Sequence, residues 1–294
     1  MQLRWKASFS ATCLHAAACV HKGLPIADQT FLATLLPAAE ELTRELKASR
    51  LPPEQTYPLL VSLAADYENN RELIEVAITK LLGSGTLSDD TLSGEALSRL
   101  AGCVAGLEAA LLRQQPDLVE ELAVRGRPLR EQWEARGPGL LRQVARLTDD
   151  SMLCPAAEIV LVAPIVGGHG QAHLQNNRVT FEAVLANPHP TLPETLRLGW
   201  LLAQLNLDLP CYSELINSNR LPLVANLATV PLILSAAETV ELAVLSPDAL
   251  VETLACWHLP TDMAARLHQW WQAYATSNTR WPVALAALDA MLGE

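Results

Sequence analysis

One stretch constrains what this chain can fold into more than any other. Residues 158–185, EIVLVAPIVGGHGQAHLQNNRVTFEAVL, read as strand, glycine turn, strand, while nearly all of the remaining sequence has helical periodicity. From 159 to 166 the residues are almost continuously apolar, the pattern of a strand covered on both faces. Pro164 has no N–H to give to a ladder, so this strand, 158–166, is expected at a sheet edge or bulged. Gly167, Gly168 and Gly170 turn the chain, and Asn176-Asn177 offers a second turn because asparagine tolerates positive φ. Within the second strand, 171–185, the pattern alternates from Arg178 to Leu185. Val179, Phe181, Ala183 and Leu185 fall on one face and Arg178, Thr180 and Glu182 on the other, as in a half-buried strand.

The other segments are helical. An amphipathic helix is expected over 3–22, a second over 27–48, a third opening at Pro52-Pro53, and a fourth over 70–82 that stops at Gly83-Ser84-Gly85. Ser88 and Asp90 predict a helix start that runs to about Arg113, and Pro116 a short helix. Residues 128–147 are expected to be helical with a break near Gly137-Pro138-Gly139, since the residue before proline is pushed out of the helical region. Thr191 and Glu194 have capping-box spacing and predict a helix over 191–206. Its Leu192, Leu196, Leu198, Trp200, Leu201, Leu202 and Leu205 make it apolar almost all round, hence a buried central helix. Ser246-Pro247-Asp248, Thr261-Asp262 and Trp281-Pro282 mark three more helix starts. No tetratricopeptide or HEAT-type period repeats along the chain. The expected fold is mainly α with a small β-sheet (α+β): an irregular helical bundle around a two- to three-stranded sheet and a buried central helix. A boundary is drawn between an N-terminal bundle, 1–124, and a region, 125–294, that holds the sheet, with one continuous domain as the alternative.

Half of the 294 residues are hydrophobic and only 18% are charged, enough to build a large core. A net charge of -11 argues against nucleic acid, which needs a surplus of basic groups. Arg125, Arg127, Arg130, Arg136, Arg142 and Arg146 are interleaved with Glu131 and Glu134, as on a solvated helix face. The six cysteines form no CxxC pair and are expected as buried reduced thiols. No run is read as the ~18 uncharged apolar residues of a membrane span. The N-terminal segment is too polar for a signal peptide, so a cytoplasmic location is expected.

The search for chemistry returns fragments. His169 and His173 are four apart, but they lie beside glycines in an extended segment, where that spacing is ~13 Å and too long for one metal ion. Gln171 stands where a zinc protease would need its glutamate. His15 and His21 are six apart, which is no ligand spacing, and His189 lies between prolines. Trp257, Trp270 and Trp271, near His258 and His268, read as core or interface aromatics. There is no G-x-S-x-G, no P-loop and no GxGxxG, and Asp89-Asp90 and Asp149-Asp150 fall at expected helix starts.

The order helix 128–147, strand 158–166, strand 171–185, helix 191–206 resembles the minimal zincin core of gluzincin-type metallopeptidases. The resemblance implies a helix packed behind a small sheet, an edge strand lining a cleft, and a following helix that carries HExxH. Here Leu196-Arg197-Leu198-Gly199-Trp200 stands at that place, so neither a zinc ligand nor a general base carries over. The sequence therefore predicts a protein that acts by binding a protein or small-molecule partner, without a cofactor, as an inactive zincin-like homologue. Arg178, Glu182, Arg197 and Trp200 are the candidate binding residues, with Glu182 as a candidate partner for a buried Arg197. Two alternatives stand beside it: a metal-dependent hydrolase using His169, His173 and Glu182, and an oligomeric scaffold with the tryptophan-rich C-terminal helices at its interface.

Overall fold

The computed structural model describes residues 1–83 and 93–293. Its twelve described helices surround a four-stranded sheet, so the chain is mainly α with a small β-sheet. The strands are β1 (Gln2–Ala7), β2 (Ala156–Val162), β3 (Gly170–His173) and β4 (Arg178–Glu182), in the spatial order β1-β2-β4-β3. β1 and β4 run parallel to β2, and β3 runs antiparallel to β4.

The first strand is absent from the sequence reading, which has helix over 3–22. Ser8 explains the difference: its side chain accepts the Ala11 N–H and caps α1 (Phe9–His21), so the chain before it is free to pair with β2. β2 is an interior strand and not the expected edge. It ends at Val162, so Pro164 falls beyond the ladder and costs it nothing. The second expected strand divides into β3 and β4 around a 3₁₀ turn, with Asn177 at φ 45°, where its turn role was expected.

Next come α2 (Gln29–Ala48), α3 (Pro53–Leu63), α4 (Asn70–Gly83) and α5 (Gly94–Gln114), with Ser93 capping α5. The helix start expected at Ser88, Asp89 and Asp90 lies outside the described residues. α6 (Leu118–Leu147) is one helix of 30 residues and runs through Pro128 and Pro138, where a break was expected. Pro138 faces solvent, which leaves the unpaired carbonyl within reach of water, and burial of Leu129, Trp133, Leu140 and Val144 outweighs the proline cost of ~3 kcal/mol. The boundary drawn at 124 falls inside α6, and β1 is part of the same sheet as β2 and β4.

α7 (Glu194–Leu202) starts later than expected. Thr191 bonds His189 and makes no capping box; the Asn187 side chain takes the Glu194 N–H. Every residue of α7 is buried, as its all-round apolar pattern predicts. After α8 (Pro210–Ser213) comes α9 (Leu221–Thr239), which is long and apolar enough to cross a membrane by length and composition, contrary to the sequence reading. Most of it is buried, packed against α6, α7, α10 (Pro247–Cys256), α11 (Ala264–Ala275) and α12 (Trp281–Gly293). Trp270, Trp271 and Trp281 are buried between those last helices.

α1 and α3 pack on the sheet and on each other, and so do α6 and α7. The alternation read in β4 is correct, but its polar face does not meet water. Arg178 and Glu182 reach residues of α3 and α1, whereas Phe181 lies under Arg197 of α7. Both faces of β4 are buried, and the polar one holds the groups described next.

Candidate functional site

Glu182 is fully buried at the C-terminal end of β4. Its Oε1 accepts the Val166 N–H at 2.9 Å, and its Oε2 accepts Gly167, Gly168 and His169 N–H at 2.9, 2.8 and 3.0 Å. Four successive amides can point at one carboxylate because Gly167 and Gly168 adopt φ of +94° and +137°, which side chains other than glycine rarely permit. The glycine turn is therefore built around an anion that the protein itself supplies. His15 Nε2 of α1 stands 2.9 Å from the same Oε1.

These contacts set the charges. Burial works against an ionised Glu182, but His15 and the Val166 and Gly168 amides hold the carboxyl well below the usual range. Burial likewise opposes the His15 imidazolium, yet Cys19 and Glu182 outweigh it and raise the pKa to about 10. His169, whose ring stacks on His15 with 5.8 Å between centroids, is lowered to about 3 by burial and by the His15 charge. The exposed His258 ring meets His169 edge-on at 5.9 Å, and burial lowers its pKa too.

Cys19 lies one helical turn after His15, its Sγ 3.6 Å from His15 Nε2. Cysteine, histidine and carboxylate together suggest a nucleophilic set, but the geometry is wrong for one. In such sets the acid orients the ring from the nitrogen opposite the nucleophile. Here the carboxylate takes Nε2 while the thiol lies beside the ring, 3.6 Å from Nε2 and 4.0 Å from Nδ1, and Cys19 is 2% exposed, so a substrate could not reach it.

The candidate residues do not gather in one place. Arg178 is buried below β4, bonded to Ser62 O and paired with Glu158 and Asp66. Arg197 pairs with Glu194, not with the Glu182 carboxylate; it donates to the His169 and Glu182 carbonyls and lies 4.0 Å over the Phe181 ring. His173 is buried against the Thr180 hydroxyl at 2.8 Å, and burial followed by the Arg178 charge lowers its pKa to about 3. Glu182 and His173 thus lie in the sheet, with His169 in the turn before β3, without forming a set of free acid and base groups. All six cysteines are free, but only Cys13, Cys19 and Cys154 are buried as expected; Cys103 and Cys256 are half-buried and Cys211 is exposed.

Trp200 does border an open space. A pocket of about 230 Å³ lies beside the edge strand β3, closed by the end of α7, the start of α9 and the turns after α1 and α10. Trp200 stacks on Trp257 at 4.7 Å and 22°, and its indole N–H is tied to Asn226 O. Lys22, His169, Gln204 and His258 supply polar atoms. The sequence reading misses Lys22, Trp257 and His258 because they are distant in sequence; it misses His15 and Cys19 although HAAAC has the one-turn spacing that places two side chains on the same helix face. No family model, no curated protein and no solved structure matches this chain.

Proposed function

We propose that this protein acts by binding a small molecule rather than by catalysis, and that the pocket beside β3 is the binding site. The stacked Trp200–Trp257 pair, bordering the same space as Lys22 and two imidazoles, carries this reading. Apolar walls with a few convergent polar groups suit ligand capture. The flat indoles favour a planar ligand body, and Lys22 favours an anionic head. The hydrogen bond from Trp200 to Asn226 fixes one wall in advance, which lowers the ordering cost of binding. In the same proposal, residues 128–206 are a zincin-like core without its zinc motif, and the edge strand β3 with α7 behind it borders the pocket.

Benzoate, nicotinate and indole-3-acetate are suitable probes. At least one should raise the melting temperature and change the tryptophan emission of the wild-type protein, and both effects should weaken in Lys22→Glu. If none of the three moves either signal, the reading is wrong.

A further inference from the structure

His15 and Cys19 bring two metal-ligating side chains from a single turn of α1 onto one carboxylate. Nε2 of His15 is 2.9 Å from Glu182 Oε1 and 3.6 Å from Cys19 Sγ, and the three ligand atoms all lie within 4.8 Å of one another. Tetrahedral zinc, with bonds of ~2.0 Å to nitrogen and oxygen and ~2.3 Å to sulfur, sets nitrogen and sulfur about 3.6 Å apart and nitrogen and oxygen about 3.3 Å apart. The nitrogen–sulfur distance already matches, but Sγ also lies 4.0 Å from Nδ1, beside the ring, so the imidazole must turn to aim Nε2 at the cation, and the nitrogen–oxygen edge needs a few tenths of an ångström. We infer that His15, Cys19 and Glu182 form a buried three-ligand site for a thiolate-binding divalent cation, with zinc the best chemical match.

The surroundings favour that chemistry. A thiolate ligand selects against magnesium and calcium, which take oxygen donors. Oε2 of Glu182 is already held by three backbone amides, leaving Oε1 as the coordinating atom; such outer hydrogen bonds orient a ligand carboxylate. Without a cation, the Nε2 proton of His15 occupies the space between nitrogen and carboxylate. Binding expels that proton and the Cys19 thiol proton and forms metal–nitrogen, metal–sulfur and metal–oxygen bonds, so an imidazolium–carboxylate pair gives way to a dication neutralised by two anionic ligands. Three protein ligands leave a fourth position, which in so buried a place suits a water molecule and not a substrate. The imidazole stacked on His15 belongs to His169, which also lines the pocket, so the two sites are neighbours. The cation site does not depend on the ligand reading, since it is built from other side chains.

The test uses the full chain, stripped with a chelator and titrated with cobalt(II). One equivalent should bind and give a thiolate-to-cobalt charge-transfer band that zinc abolishes. Cys19→Ser should remove the band, His15→Ala should weaken cobalt binding at least ~10-fold, and Cys256→Ser should leave both unchanged. Zinc should also raise the melting temperature of the wild-type protein, a readout independent of whether any variant folds. A wild-type chain with no such band and no zinc-dependent shift overturns the inference, as does a band that persists in Cys19→Ser.

Discussion

Replacing Glu182 with glutamine nearly conserves volume and removes one charge, so it isolates what the carboxylate does. Oε1 serves Val166 and His15, and Oε2 serves Gly167, Gly168 and His169. Glutamine has one oxygen to offer. Placed at the Oε2 position, it keeps three amides and turns its NH₂ toward His15 and the Val166 N–H. His15 can adapt by presenting an unprotonated Nε2, but the Val166 amide loses its acceptor, at a cost of ~1–3 kcal/mol. The three remaining bonds lose their charge assistance, about half their strength. Breaking one side of a buried pair falls in the range of ~3–5 kcal/mol, and that is the loss expected for Glu182→Gln. Urea unfolding at neutral pH, followed by tryptophan emission, measures it, with the surface change Glu131→Gln as a control expected within ~0.5 kcal/mol of wild type. A loss below ~1 kcal/mol would mean that the loop 166–169 does not depend on this anion, and the account of the site would fall.

Two other perturbations follow from the same geometry. The folded pKa of His15 is raised to about 10, so its stabilisation is complete below its unfolded pKa of ~6.5 and is lost as pH rises through about 10. His169 and His173 are lowered to about 3, so the stability carried by their neutral forms is present above ~6.5 and is lost as pH falls toward about 3. Melting temperature should therefore peak in slightly acidic to neutral solution, and His173→Gln should shallow the acid limb alone; a profile superimposable on wild type would count against this assignment. Arg197→Ala strands a buried Glu194 and should cost ~3–5 kcal/mol, partly restored by adding Glu194→Gln. Equal midpoints for the single and double variants in urea would show that the pair is not coupled.

Local signals located most elements, because caps and periodicity act over a few residues. Ser246 and Trp281-Pro282 start helices where their patterns put them, and the apolar run from Ile159 is a strand as far as Val162. The failures come where distant partners override local preference. β1 alternates Leu3, Trp5 and Ala7 with Arg4 and Lys6, but it runs almost directly into α1 and so reads as the start of that helix; it is a strand because β2 offers a parallel edge. α6 runs through Pro138 because one face of the helix is held by the core while the proline faces water. The alternation in β4 showed which residues share a face, but not that α1 and α3 cover it, since covering is a property of topology. For the same reason Glu182 was matched to Arg197. The two lie close in sequence, while the true partner, His15, is 167 residues away.

The position of Glu182 also ties the two proposed sites to one mechanical element. Residues 166–169 donate four backbone N–H groups to its carboxylate, and the last of these residues presents its ring to the pocket. Arg197 grips the other side of that turn through the His169 carbonyl, while its own charge is balanced by Glu194. The His169 main chain is thus held from both sides, by a carboxylate at its N–H and a guanidinium at its carbonyl. A ring on a backbone pinned in this way loses little freedom on contact with a ligand, so the ordering cost that weakens capture by mobile loops is largely met in folding. The same pinning explains why charged residues lie in so deep a place. A buried ion pair contributes little net stability over an apolar replacement, but each charge here fixes the direction of backbone groups that apolar packing would leave free to tilt.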